Sequence, residues 1–189
     1  MAAFWFQVVR LYLLPALPLI HGSAVCAVDV WSLLRLYDHL PRWRLYGEWK
    51  GMYQTYPELR VCGANATRES KNLLRRLSTN TQNLLAGDVA KLAHTNPCIF
   101  FQNALSQVMA YDNLGTALTQ SLFYCTIMGF DILIYLILEA FANPDKDRVK
   151  PDGINVSDWF QSKIISQSLK LYIFGLIIST FQVLLHLLG

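Results

Sequence analysis

The stretch VAKLAHTNPCIFFQNALSQVMAYDNL, residues Val89 to Leu114, decides the fold class. Apolar side chains return every three or four residues on both sides of Asn96-Pro97, which is the period of a helix rather than of a strand. Proline suits the first helical turn, where its missing N–H would have no partner, and the asparagine before it can accept the orphan amides of that turn. One helix therefore ends just before Asn96, and a second opens at Pro97 and runs to about Tyr111. So short a connection makes the two antiparallel neighbours.

The same punctuation recurs outward along the chain. Upstream, Trp31 to His39 is helical in period and is closed by Pro41, and Arg42 to Tyr56 carries Trp43, Tyr46, Trp49, Met52 and Tyr53 on one face until Pro57. Thr67 to Leu77 is a basic amphipathic segment, with Leu73, Leu74 and Leu77 as its stripe and Lys71, Arg75 and Arg76 beside it. A polar linker from Ser78 to Asn83 leads to a short element from Leu84 to Ala93, broken or begun around Gly87 and Asp88. Downstream, Asp112-Asn113 ends one helix or caps the next, which carries Leu114, Ala117, Leu118, Ser121, Leu122 and Cys125. Gly129 separates this from a helix that ends at Ala142, before Asn143-Pro144. A charged loop from Asp145 to Gly153 precedes a last helix, N-capped by Ser157 and opening at Asp158. The expected fold is all-α: stacked antiparallel helix pairs forming either a section of an α-solenoid of the ARM/HEAT type or an irregular helical bundle. No repeat of about 34 or 40 residues decides between the two.

In a chain of 189 residues, 53% are hydrophobic and 15% charged, which excludes disorder. Cysteines at 26, 62, 98 and 125 are too sparse and too far apart for a disulfide scaffold, and Cys98 and Cys125 read as packing residues. The ends are distinct from the middle, giving three segments: an apolar 1–29, a helical 30–167 and an apolar 168–189. Leu171 to Gly189 has no formal charge and is just long enough to cross a bilayer. Residues 11–28 and 121–142 are two further candidate spans, the first interrupted by Pro15 and Pro18. Residues 1–28 also loosely resemble a signal peptide, although Arg10 lies deep for a basic leader. Asp131 and Glu139 argue against a membrane for the 121–142 stretch, because each is costly in hydrocarbon. They stand eight residues apart, two helical turns, and can share one face as salt-bridging groups.

No constellation of catalytic residues stands out. The histidines at 21, 39, 94 and 186 lack metal-ligand spacing with the cysteines, and the glycine-loop, Walker, nucleophile-elbow and zinc-protease motifs are absent. No cofactor is expected. Between Arg35 and Arg76, however, nine basic residues meet four acidic ones. Arginines interleaved with aromatics suit contact with RNA or a partner protein. The candidate contact residues are Arg42, Arg44, Trp49, Lys50, Lys71, Arg75 and Arg76, although Trp49 in particular also suits packing between helices.

Taken in order, RWRLYGEWKGMY (Arg42 to Tyr53), NLLRRLS (Asn72 to Ser78), Val89 to Leu114, DILIYLILEAFANPDKDRVK (Asp131 to Lys150) and DWFQS (Asp158 to Ser162) resemble the THO complex subunit 2 family. The resemblance covers about residues 30–162 and is strong in its concatenation rather than in any single string. It implies a central segment of a large, non-enzymatic α-solenoid subunit of the nuclear THO complex. That complex, as part of TREX, couples transcription to mRNA processing and export. The implied partners are the other THO subunits and, indirectly, a DEAD-box RNA helicase and nascent mRNA. Arg42, Arg44, Tyr46, Trp49 and Lys50 match one family segment, and Asn96, Pro97, Tyr111, Asp112 and Asn113 match its turns. The apolar ends begin where the resemblance stops, so they are expected to be foreign to the family. Two other readings compete: an integral membrane protein with two or three spans, and a helical RNA-binding module.

Overall fold

In the computed structural model the described residues are 2–20, 24–111 and 114–142, and every element among them is helical. An N-terminal arm consists of α1 (Ala2–Val8), a π turn (Val9–Leu13), α2 (Leu14–Ala16) and a 3-10 turn (Leu17–Leu19). The body follows as α3 (Ala24–Leu34), α4 (His39–Thr55), α5 (Pro57–Arg76), α6 (Gln82–Thr95), α7 (Pro97–Ala110) and α8 (Leu114–Ser121). A 3-10 turn (Leu122–Tyr124) and α9 (Ile127–Ala142) complete it. The architecture is an all-α bundle of stacked helices, with α5 packed on α4 and α7, α6 on α8, and α7 on α9.

Several boundaries differ from those expected. Pro41 does not close a helix but sits in the first turn of α4, where no amide is needed. Helix α5 opens at Pro57 and runs 20 residues, with Glu58 in its first turn and Arg75 and Arg76 in its last, complementing the helix dipole at both ends. It therefore takes in Pro57 to Ala66, which the sequence had left unassigned around Gly63. That glycine lies where three helices meet: a Cβ there would stand 3.0 Å from Tyr53 Cδ1 and 3.2 Å from Ile99 Cδ1. Helix α6 passes through Gly87 and Asp88 unbroken. The break before α9 falls at Cys125-Thr126 rather than at Gly129, whose N–H donates to the Thr126 hydroxyl at 3.4 Å.

Among the described residues no helix is long and apolar enough to cross a membrane. The candidate span at 11–28 fails because Pro15 and Pro18 divide the arm into short pieces. The one at 121–142 fails because it is split by a 3-10 turn, leaving α9 with 16 residues. The third candidate span, the charged loop and the helix expected from Asp158 lie outside the described residues. The arm joins the common core through Val9, Leu14 and Leu17, and Arg10 pairs with Glu48 of α4.

The core is large and aromatic. Trp49, Tyr46, Phe100, Phe101, Met128 and Ile132 are among its fully buried side chains. Burial pushes the Cys98 and Cys125 thiols up to about 12, so both remain protonated packing groups. His94 ties α6 to the turn before α9, its Nε2–H donating to the Tyr124 carbonyl at 3.1 Å. Burial holds this imidazole below the ordinary histidine range, and the hydrogen bond pulls weakly the other way. The unfolded chain then binds the proton more readily than the folded one, so the stabilisation is complete above about pH 6.5 and is lost as pH falls below it. Thermal unfolding followed from pH 7 to pH 5 is expected to show a steeper fall for the native chain than for His94→Gln. Parallel curves would remove His94 from the account.

Candidate interaction surfaces

Helices α4 and α9 are joined by a ladder of polar side chains. Arg42, Tyr46 and Lys50 occupy successive turns of α4, and Asp131, Tyr135 and Glu139 occupy successive turns of α9. Arg42 grips Asp131 with two bonds, Nε to Oδ2 at 3.0 Å and Nη2 to Oδ1 at 3.1 Å, and the Tyr46 hydroxyl donates to the same Oδ2 at 2.7 Å. In the middle rung the rings of Tyr46 and Tyr135 meet edge to face at 6.0 Å. Lys50 Nζ donates to both oxygens of Glu139 at 2.5 and 2.6 Å, and the Tyr135 hydroxyl donates to Oε1 at 2.9 Å. Both ionic rungs join residues 89 apart in sequence, so the two helices run parallel.

The first rung reaches further into the fold. Arg42 Nη1 donates to the Tyr37 carbonyl at 2.5 Å, and the guanidinium lies 5.3 Å from the centre of the Trp31 ring. The side chains of Arg42 and Asp131 are only 15% and 12% exposed, against 28% and 38% for Lys50 and Glu139. Burial, then the neighbouring Asp131 carboxylate, raises the Tyr46 phenol far above its ordinary range, which keeps it a donor.

This arrangement divides the candidate contact residues. Arg42 and Lys50 are committed to the ladder. Trp49 is 1% exposed, stacked at a tilt against Tyr53 in the core, and offers no face to a ligand. Arg44 is exposed and pairs with Glu48 at 3.2 Å. Lys71, Arg75 and Arg76 are exposed on α5. Arg68, of the same basic segment, and Arg60, which lies outside it, are exposed on the same helix. Only the extension of α5 back to Pro57 puts Arg60 in register with Arg68, Lys71 and Arg75. Of the turn residues, Asn96 does not cap α7 with its side chain; its Oδ1 instead accepts from the buried Tyr53 hydroxyl at 2.9 Å. Tyr111 is exposed, and Asp112-Asn113 lies outside the described residues.

Two concavities flank α5. A groove of about 690 Å³ lies between α5 and α6, reaching Pro18 and Ile20 of the arm, with charges of both signs from Glu69, Arg76, Asp88 and Lys91. On the other side, a shallow depression of about 680 Å³ is lined by Tyr53, Gln54, Arg60, Gly63, Ala64, Thr67 and Ile99. Among the described residues no three metal-ligating side chains gather.

Residues 1–86 match the family described as THO complex subunit 2 N-terminus, and residues 89–162 match the one described as Transcription- and export-related complex subunit. The chain is 38% identical over 151 residues to THO complex subunit 2 of Homo sapiens. This chain is homologous to part of THO complex subunit 2. The Arabidopsis thaliana subunit is 34% identical over 150 residues and that of Saccharomyces cerevisiae 27% over 158. These three alignments cover 79%, 79% and 83% of this chain but only 10%, 8% and 10% of the relatives, so the chain spans about a tenth of their length. The N-terminal match includes residues 1–29, which corrects the expectation that the first apolar segment is foreign to THO complex subunit 2. The two family matches meet at Gly87-Asp88, inside the continuous helix α6.

Proposed function

We propose that this chain is a segment of a THO complex subunit 2 scaffold, a non-catalytic helical body that holds a nuclear THO/TREX assembly together. Such an assembly supports transcription-coupled packaging, processing and export of mRNA. The observation that carries this reading is the 38% identity over 151 residues, laid on a stack of helices with a shared aromatic core. The helices from α3 to α9 are the body of this segment, and the arm packs on it through Val9, Leu14 and Leu17. Its partners are the other THO subunits, and through them a DEAD-box RNA helicase and nascent mRNA. The work of such a segment is helix-on-helix packing, which needs no reactive side chain. Co-expression of the full chain with the other THO subunits should give a complex that co-elutes in size-exclusion chromatography. A chain that is helical in buffer yet elutes apart from every one of them would sink the proposal.

A further inference from the structure

Arg60, Arg68, Lys71 and Arg75 are all exposed on α5, a helix of 20 residues. At about 100° per residue they fall within about 80° of one another around the helix axis and extend about 22 Å along it. Ala64 and Thr67 share that face, so no acidic residue of α5 interrupts the row. The two acidic residues of α5, Glu58 and Glu69, project from about the opposite side, and Glu69 faces the groove toward α6. The neighbouring helices bring no free carboxylate. Helix α7 has no acidic residue, the one in α4, Glu48, is held by Arg10 and Arg44, and the one in α6, Asp88, lines the groove on the other side of α5 and pairs with Lys91 at 3.5 Å. Among the described residues no carboxylate pairs with any of the four cations, although Arg68 bonds the Asn65 amide at 3.2 Å.

Beside this row lies the depression of about 680 Å³, with Arg60, Ala64 and Thr67 forming its α5 wall. Tyr53 and Ile99 give it an apolar floor, and Gln54 puts a hydrogen-bonding amide at its rim, where the Thr67 hydroxyl, which donates to the Gly63 carbonyl at 2.8 Å, can still accept. An apolar floor with a polar rim suits a planar heterocycle with edge donors and acceptors better than a carboxylate. A line of cations tracking a backbone next to a site for bases is the arrangement by which single strands are held without sequence preference.

We infer that the outer face of α5 binds a single-stranded polynucleotide, with phosphates along Arg60, Arg68, Lys71 and Arg75 and a base in the adjoining depression. This goes beyond the scaffold reading and is independent of it, because it concerns the chain alone. Fluorescence anisotropy with a labelled uridine 20-mer and a thymidine 20-mer, using the full chain, tests it. Both strands should bind, since the row addresses phosphate. Substituting Arg60→Gln, Arg68→Gln, Lys71→Gln and Arg75→Gln together should weaken binding at least about tenfold at 50 mM salt and flatten the log–log salt slope by about 2 to 3. A control with the same change in net charge (Arg35→Gln, Arg44→Gln, Arg76→Gln and Lys91→Gln) should retain most of the affinity. Ala64→Glu serves as a second probe: it places a carboxylate one turn from both Arg60 and Arg68, where it supports the helix while occupying the cations. It should weaken binding with helix content unchanged by circular dichroism. Failure of both strands to bind, equal weakening in the control, or displacement of RNA by oligoglutamate as effectively as by unlabelled RNA would overturn the inference. The last result would assign the face to an acidic protein.

Discussion

Asp131→Ala is expected to destabilise the fold by about 3 kcal/mol, the low end of what removing one partner of a buried ion pair costs. The substitution leaves the Arg42 guanidinium and the Tyr46 hydroxyl without their shared acceptor in a site where Arg42 is only 15% exposed. The Tyr46 hydroxyl then faces desolvation without compensation, Arg42 keeps only the Tyr37 carbonyl and the Trp31 ring, and the join between α4 and α9 loses its inner rung. Urea unfolding monitored by circular dichroism measures the loss, and a value below about 0.5 kcal/mol would show that water screens the pair. The outer rung supplies an internal comparison. Lys50 and Glu139 are more exposed, so Glu139→Gln should cost under about 1 kcal/mol. Replacing Arg42 and Asp131 together with methionine and leucine should recover most of the stability lost by the single change, because no charge is then stranded.

Trp49→Ala should cost about 3 to 5 kcal/mol, a large share of the roughly 5 to 15 kcal/mol that holds a domain folded. The indole is 1% exposed and packs beside Tyr53, so its removal opens a cavity at the meeting of α4 with its neighbours. A tryptophan serving as an exposed stacking platform would behave otherwise: its alanine variant would keep its melting temperature and lose only ligand. Thermal denaturation of Trp49→Ala separates the two roles, and an unchanged midpoint would refute the packing role. Trp49→Phe keeps most of the apolar volume and should fall between the native chain and the alanine variant.

Helix period and proline punctuation made the all-α class legible, as the Asn96-Pro97 junction shows, because both are local properties. Asp131 and Glu139 were readable as residues sharing a face for the same reason. What stayed hidden was tertiary. The spacing of Trp43, Tyr46, Trp49 and Lys50 places them on a helix but cannot say which of them faces α9, so contact residues and core residues looked alike. Proline's ambiguity shifted boundaries, since Pro41 reads equally as a stop or as a first-turn residue. Residues 57–66 carried no assignment, and the close approach of Tyr53 and Ile99 that gives Gly63 its place in the helix is a tertiary contact that no local pattern records. With the segment opening only at Thr67, Arg60 fell outside the basic segment. Asn96 looked like a cap because the competing donor, the Tyr53 hydroxyl, comes from 43 residues away.

The parallel contact between α4 and α9 has a consequence for how the chain holds together. In a linear array each unit touches only the next, so damage at one point lets the array fray toward its end. Here the fourth and ninth helices are clasped across 89 residues, and the intervening hairpins become the interior of a closed loop. Such a loop must form late, because distant partners have to meet first, but once formed it melts as a single unit. A cut in one of its connections would leave the two pieces gripping each other.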